Sequence, residues 1–573
     1  TTPPHLQDWK HMPRYALGID YGTSSCRSLL IDLADGSESA ESVFAFPTGV
    51  AGVLTSPTDP NLARQEVSDY LEGLAATIRG SLQIAMRTLP CFTANDVVTI
   101  GIATTGSTPL PVDASGTALS LLPEFADRLA AKAWLWKDHT AHAEAAALTD
   151  TASRTRPEYL KSVGGTYSAE WFWAKIWHCA RTEPDVFAAA HSWVELCDYL
   201  VGQLTGTADP LVLSRSVTAA GHKALYSPVW GGLPDADFLS SLDPQLADLR
   251  NRLYDTAQPT TDLAGTVTAE WAALTGLTEG TPVAVGSFDA HAAGVAAGVR
   301  VGTFVKVMGT STCDVTVIDM PATGTPFIPG MCGVVPDAII PGKISVESGQ
   351  SAVGDVFNWL GDLLSSNGTP ISLGRLGDDA AALAPGEHGL LALDWFNGNR
   401  SVLVDQRLTG VVLGLTLHTE PHHLFRALVE ATAFGARAII QTIEDSGSPL
   451  TTIVAGGGLP THAPWMMQCY ADVFGREITL ARTSQGSALG AGIVASVAAG
   501  EFDTIEHAQD VLVHFQEKTY VPDPHAAALY NELYQEFILV HDAFGRRDGA
   551  LSGVMKTLMN IRDRAVLKGN THV

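Results

Sequence analysis

The sequence predicts an α/β protein of two related domains facing each other across a cleft, and three observations carry that prediction. The chain has 573 residues, too many for one ordinary domain and suited to two or three lobes. Apolar strands are separated by helical segments in each half, the pattern of α/β domains. The chain also contains a stretch of itself twice. Residues 20–32 read DYGTSSCRSLLID and residues 307–319 read VMGTSTCDVTVID, sharing Gly, Thr, Ser, Cys, Ile and Asp. Gly22 of the first copy falls on Gly309 of the second, about half a chain away.

Taken in chain order, YALGI (15–19) reads as a strand and SLLIDL as its return, a β-hairpin with a Gly-Thr-Ser tip. A long helical stretch (66–87) then precedes the strand VVTIGI and the small-residue loop ATTGS. Residues 207–240 read as an irregular insertion carrying polar groups. A boundary is expected near 280–288, where TPVAVGS leads into FDAH, giving a first domain over 14–285 and a second over 286–550. In the second half GTFVKV and VTVID repeat the hairpin. The helical stretch 422–443 precedes TTIVA and GGGLP, a second echo of the first half. After about residue 520 the chain reads as helices ending in a polar tail, 551–573.

Apolar residues make up 46% and charged residues 17%, which excludes wholesale disorder. The formal charge is −26, from 61 acidic and 35 basic residues. Such a surface argues against nucleic acid or an anionic membrane as partner. It leaves room for a nucleotide, which a few glycine-rich loops, one Arg and a metal can hold locally. Seven scattered cysteines without a CxxC pair indicate neither a disulfide framework nor a zinc site and fit a reducing compartment. The first residues lack an apolar signal core and no apolar run is long enough to span a bilayer, so a cytoplasmic location is expected.

A hairpin tip of Gly, Thr and Ser suits phosphate oxygens, because glycine admits close approach while amides and hydroxyls donate. Gly22, Thr23 and Ser24 form one candidate clamp and Gly309, Thr310 and Ser311 the other, with a structural tight turn as the alternative for each. Arg27 could add a charge-assisted contact to a terminal phosphate. Asp20 ends the first strand and is a candidate for holding Mg²⁺ through water, or else a turn cap. Asp289 lies between a strand and the helical AHAAGVAAGV. It reads as an N-cap or as a general base for a sugar hydroxyl, kept ionised by the helix dipole. Gly456 and Gly457, after a strand and before a helix, suit an adenosine or α-phosphate site. No GxxxxGK[ST] or GxGxxG occurs: Gly342-Lys343 is followed by Ile344, and Asp337 stands where the first glycine would be. WKDHT, GHK and ESGQSA are polar clusters in apolar surroundings, in which Lys223 and Glu347 could hold polyol hydroxyls or simply form salt bridges and caps. His139 and His142 are too close for a usual zinc pair, and no HExxH occurs. No catalytic metal is expected beyond that of ATP.

With these residues in view, the chain resembles the FGGY family of carbohydrate kinases across nearly its whole length. The resemblance rests on GIDYGTSSCR, TGSTPLPVD, WKDHTAHAEAA, SAEWFWAKIWH, ELCDYL, AAGHKAL, GSFDAHAAGVAAG, VMGTSTCDV, PGKISVESGQSAVGDVFNWL, LDWFNGNRS and GVVLGLTLHTEPHHLFRALVEATAFGARAI. SAEWFWAKI, the GHK region and LDWFNGNRS place it nearest the ribulokinase branch. The resemblance implies two actin-like (RNase H-like) domains of the sugar kinase/Hsp70/actin superfamily, with ATP and Mg²⁺ between them. It implies Asp289 as catalytic base, sugar contacts at Gly106, Lys223, Asp289 and Glu347, and Trp136 as a pocket wall. The nucleotide would meet Thr23, Ser24, Arg27, Gly309, Thr310, Gly456 and Gly457. The implied activity is ATP-dependent phosphorylation of L-ribulose to L-ribulose 5-phosphate in L-arabinose catabolism. A kinase for D-ribulose, xylulose or ribitol, an actin- or Hsp70-like nucleotide switch, and a sugar sensor are the alternatives. The expected partners are a ketopentose and ATP, and a homodimer is a candidate assembly. Two positions depart from the family pattern: Ala103, often Asp in the ribulokinase branch, beside the presumed sugar loop, and Ala463, often Asn, beside the presumed adenine site.

Overall fold

A computed structural model of the chain describes residues 13–365 and 371–569. Its framework begins with three antiparallel strands, β1 (Tyr15–Tyr21), β2 (Ser25–Asp32) and β3 (Glu38–Ala45). β1 buries every residue but Asp20 and is covered on both faces, whereas β3 alternates and exposes Glu38 and Glu41 at the sheet edge. Helix α1 (Val67–Thr88) begins where the Glu66 carboxylate accepts the Val67 N–H at 3.2 Å. It ends at Leu89, which precedes Pro90 and so leaves helical backbone. The chain returns as β4 (Val97–Thr104), parallel to β1.

The stretch between β4 and the second half builds its own core from Trp134, Tyr159, Trp173 and Trp193. It includes helices α2 (Phe172–Thr182) and α3 (Val217–Lys223). The expected irregular insertion at 207–240 holds α3 and further short helical turns, and buries Leu225, Leu233 and Phe238 in that same core. β5 (Leu263–Thr266) and β6 (Pro282–Ala284) complete the first sheet in the order β3-β2-β1-β4-β6-β5, and β7 (Ser287–Phe288) pairs with the end of β4.

β7 feeds directly into α4 (Asp289–Ala296), and the second half repeats the plan. β8 (Thr303–Met308) and β9 (Thr312–Asp319) make the second hairpin, followed by β10 (Gly333–Pro336) and β11 (Lys343–Ser348). Helix α5 (Pro421–Asp445), opened by proline at its first position, leads to β12 (Thr452–Gly456), parallel to β8. β13 (Ile478–Ala481) and β14 (Phe515–Tyr520) finish the sheet in the order β10-β11-β9-β8-β12-β13-β14. The series β3-β2-β1-β4 thus matches β11-β9-β8-β12, the duplication that the two hairpins announce.

Helices α4 and α6 (Gly486–Ala498) lie between the two sheets, and small residues permit the approach. A Cβ on Gly18 would stand 1.8 Å from the Ala488 carbonyl oxygen, and one on Gly101 2.0 Å from that of Ala491. A Cβ on Gly490 would meet the Ala292 oxygen at 1.7 Å. Sheet, helix, helix and sheet therefore stack nearly backbone to backbone, leaving the ends of β1, β4 and β8 to line a common cleft. Ala103 belongs to this packing, fully buried against Ala292 and Ala491. Its backbone leads into the loop that carries Gly106, while its side chain faces the interhelical seam. The stretch expected as a polar tail carries helix α7 (Val554–Gly569), which buries Met555; residues 570–573 and 1–12 lie outside the described residues.

Candidate active site

A cavity of about 360 Å³ opens between the halves, and both contribute to its walls. Gly106, in the loop after β4, is one wall. A Cβ there would stand 2.1 Å from Phe288 Cε1, so only glycine lets this loop lie against the residue preceding Asp289. The loop is fixed from behind by two side chains that no motif marks. Glu195 accepts the Ser107 hydroxyl and, at 2.8 Å, the Thr108 N–H. The Lys175 ammonium, on α2, donates to the carbonyls of Ser107 (2.8 Å), Leu135 (2.8 Å) and Trp134 (3.2 Å). Asp138, buried with Arg64, holds the adjoining strand end, and Trp136 next to it faces the cavity.

Lys223 ends α3, which belongs by chain order to the first half but is seated on the second sheet. Thr218 Oγ1 donates to the Ala338 carbonyl at 2.6 Å, and a Cβ on Gly221 would lie 2.3 Å from Val335. The Lys223 ammonium donates to Glu347 Oε1 at 2.7 Å, while His291 Nε2 stands 2.8 Å from Oε2. His222 Nδ1 lies 3.4 Å from the same oxygen. Burial alone would raise the Glu347 pKa, but Lys223 first and then the His291 hydrogen bond outweigh it and hold the carboxyl well below the usual range. Burial depresses the Lys223 pKa and Glu347 more than restores it, so the ammonium stays charged. Burial, with His291 beside it, pushes the His222 pKa well down and keeps that ring neutral. His222, His291 and Glu347 each bring a ligand atom within 4.8 Å of the others. The Lys223 and His291 hydrogen bonds engage both Glu347 oxygens, while His222 Nδ1 and His291 Nδ1 are buried without a hydrogen-bond partner.

Asp289 is the first residue of α4, after Phe288 in the N-cap position; its Oδ1 accepts the Ala290 N–H at 2.7 Å. The expectation that the helix dipole keeps it fully ionised is corrected. Burial first, then Asp20 and Glu347, push its pKa up to about 7, against the opposing Ala290 hydrogen bond and Lys223.

Gly309, Thr310 and Ser311 line the same cavity. Their tip is pinned because the Thr310 carbonyl accepts the N–H groups of Val353 (2.8 Å) and Asp355 (3.1 Å). A second space of about 200 Å³ adjoins it and shares Val307, Gly457 and Ser487 as walls. There Arg27 donates to Gln485 Oε1 at 2.9 Å and its Nε lies 3.4 Å from Asp20 Oδ2. Gly456 and Gly457 line it too; Gly457 has φ +93°, and a Cβ would stand 2.4 Å from the Met308 carbonyl. Burial raises the Asp20 pKa to about 6, against the pull of Arg27, and Oδ1 is buried without a hydrogen-bond partner. An unpartnered carboxylate oxygen beside a polar space fits a hydrated Mg²⁺.

The predicted residues therefore fall into two neighbouring groups. Gly106, Trp136, Lys223, Asp289 and Glu347 share the larger cavity with Gly309 and Thr310, and Asp20, Arg27, Gly456 and Gly457 share the smaller. Thr23 and Ser24 line neither. The Thr23 hydroxyl accepts Trp136 Nε1 at 3.1 Å and its carbonyl accepts Gln65 Nε2 at 2.7 Å, while Ser24 is exposed. Ala463 also lies off both walls, packed at the edge of the second core. Glu170 and Arg400 line the larger cavity without having been singled out, although SAEWFWAKI and LDWFNGNRS contain them. No helix among the described residues is long and apolar enough to cross a membrane, and all seven cysteines are free.

The N-terminal domain of the FGGY family of carbohydrate kinases matches residues 15–296, and its C-terminal domain matches 304–499. The chain is 41% identical to the ribulokinase of Shouchella clausii over 97% of its own length and 99% of the relative's, and 40% identical to that of Geobacillus thermodenitrificans over 96% and 98%. A xylulose kinase structure from Rhodospirillum rubrum superposes with a TM-score of 0.74 over 93% of this chain and 99% of the other, at 24% identity.

Proposed function

The chain belongs to the FGGY family of carbohydrate kinases, and from that premise we propose that it transfers the γ-phosphate of ATP to L-ribulose, giving L-ribulose 5-phosphate in L-arabinose breakdown. It is a carbohydrate kinase with the actin-like fold of its neighbours. The observation that carries the substrate is the near 40% identity to ribulokinases over almost the full chain.

In this reading the sugar occupies the larger cavity, with Lys223, oriented by Glu347, donating to its hydroxyls. Trp136 offers an apolar face to the carbon skeleton. Asp289 accepts the proton of the 5-hydroxyl as that oxygen attacks; a pKa near 7 suits a base that must be both ionised and able to take a proton near neutral pH. The tip at Gly309–Ser311 and Arg27 supply donors to the transferring group and its neighbouring phosphates. Mg²⁺, held by Asp20 through water, would neutralise phosphate charge when bound. Gly456 and Gly457 let the rest of the nucleotide approach the backbone between β12 and the following helix.

A coupled ADP-release assay over L-ribulose, D-ribulose, xylulose, ribitol and glycerol tests the proposal. L-Ribulose should give the highest kcat/KM. A panel led by glycerol would overturn it.

A further inference from the structure

Two sequence stretches that the reading above leaves without a role, SAEW and GNRS, meet WKDHT in the larger cavity. Glu170 and Trp136 come from the first half and Arg400 from the second, and all three line the cavity. Arg400 Nη2 stands 3.6 Å from Glu170 Oε1, beyond hydrogen-bond reach. Glu170 Oε1 also meets His139 Nε2 at 3.1 Å. The guanidinium carbon lies 5.8 Å from the centre of the Trp136 ring, and Arg400 Nε is buried with no hydrogen-bond partner. Burial would raise the Glu170 pKa, but Arg400, with His139 and Lys223, brings it down to about 2. A charged fork and a charged carboxylate thus stand side by side at the cavity wall, with hydrogen-bonding capacity left unused.

Resting on the proposed ketopentose reading, we infer that Arg400 donates to the C2 carbonyl oxygen of an open-chain ketopentose while Glu170 accepts from a neighbouring hydroxyl. The chemistry of the substrate requires such a donor. In a 2-ketopentose the 5-hydroxyl is the group that closes the furanose ring on C2, so a sugar offering its 5-hydroxyl for phosphorylation is open-chain and carries a bare ketone. A ketone oxygen only accepts, and a guanidinium only donates. Lys223 is less suited, because Glu347 already engages its ammonium at 2.7 Å. Arg400 has the free N–H, and Trp136 beneath it holds the fork in place. Because Arg400 comes from the half opposite to Glu170, the ketone subsite is complete only when the two halves are together.

The test compares L-ribulose with ribitol, which has a hydroxyl where the ketose has its carbonyl, using wild type, Arg400→Met, Arg400→Lys and Glu170→Gln. In Arg400→Met, kcat/KM for L-ribulose should fall about 10²-fold and that for ribitol much less, narrowing the preference, as expected when a polar group built for one substrate atom is lost. KM for ATP and calorimetric ADP binding should not change. Arg400→Lys should recover part of the preference, and Glu170→Gln should weaken both substrates. If ADP binding shows Arg400→Met to be misfolded, Arg400→Lys alone decides, and it must still narrow the preference. An unchanged ratio of L-ribulose to ribitol in a folded, active variant would overturn the inference alone. A wild type without ketopentose turnover would overturn the reading beneath it and the inference with it.

Discussion

Replacing Asp289 by Asn separates a catalytic base from a helix-opening residue, because the two roles predict opposite changes in one preparation. The side-chain oxygen of Asn can still accept the Ala290 N–H, so the local hydrogen bond survives. What disappears is the proton acceptor and the negative charge beside Asp20 and Glu347. With the pKa raised from 3.8 to about 7, the folded state holds a proton that the unfolded state releases. Stability relative to a neutral isostere therefore falls as pH rises from about 4 to about 7, and the full cost is present above 7. Three units correspond to at most about 4 kcal/mol, a ceiling because the carboxylate faces the cleft. At pH 8 the Asn variant should melt at or a few degrees above wild type, and at pH 5 the difference should shrink. Its kcat should fall by about 10² or more, the scale for losing a general base, with sugar and ADP still binding by calorimetry. Wild-type kcat/KM should fall with decreasing pH below about 7, while the residual rate of the variant should stay flat there. A folded Asn variant that binds sugar and keeps near wild-type kcat would remove Asp289 from the mechanism.

Three further outcomes follow from the same geometry. Gly106→Ala puts a methyl group 2.1 Å from Phe288, which must shift and carry Asp289 with it, so kcat for the sugar should drop more than about 10-fold with ADP affinity unchanged in calorimetry. Arg27→Ala removes a charge-assisted donor and should raise KM for ATP about 10-fold or more while leaving sugar affinity intact, as steady-state kinetics would show. Lys223→Met leaves the buried Glu347 without its cation and should lower stability by about 3–5 kcal/mol in denaturant unfolding, whereas adding Glu347→Leu should restore stability but not sugar binding.

The duplication was legible because a hairpin is local: strand, Gly-Thr-Ser tip and strand run unbroken from Tyr15 to Asp32 and from Thr303 to Asp319. Gly457 was legible as a glycine between strand and helix, although the Met308 carbonyl that leaves no room for a side chain there comes from another strand. Lys223 and Glu347 were legible only as polar residues in apolar runs, since the 2.7 Å contact that gives them meaning joins positions 124 residues apart. Glu170, Lys175, Glu195 and Arg400 escaped for the same reason. Each looks like an ordinary charged residue until partners on other elements surround it, and neither period nor spacing marks such partners. The Asp289 titration was misjudged because the helix dipole can be read from sequence, whereas burial and the approach of Asp20 from β1 cannot.

That last error bears on how the two halves cooperate. β7 pairs with the first sheet, yet α4, which it feeds, packs on the second, so Asp289 sits at the crossing. α3 makes the reverse passage, carrying Lys223 from the first half onto the second sheet. Lys223 is thereby held from both sides, its carbonyl accepting the Tyr167 hydroxyl of the first half while its ammonium donates to Glu347 of the second. Parting the halves would separate Arg400 from Glu170 and Trp136, and it would also pull on Lys223, because α3 packs into the first-half core through Val217 and Ala220 and Trp173 Nε1 donates to the Ala224 carbonyl at 2.8 Å. Lys223 and Glu347 therefore face each other only where the halves meet. Closure, on this geometry, completes the sugar-binding group as well as excluding water.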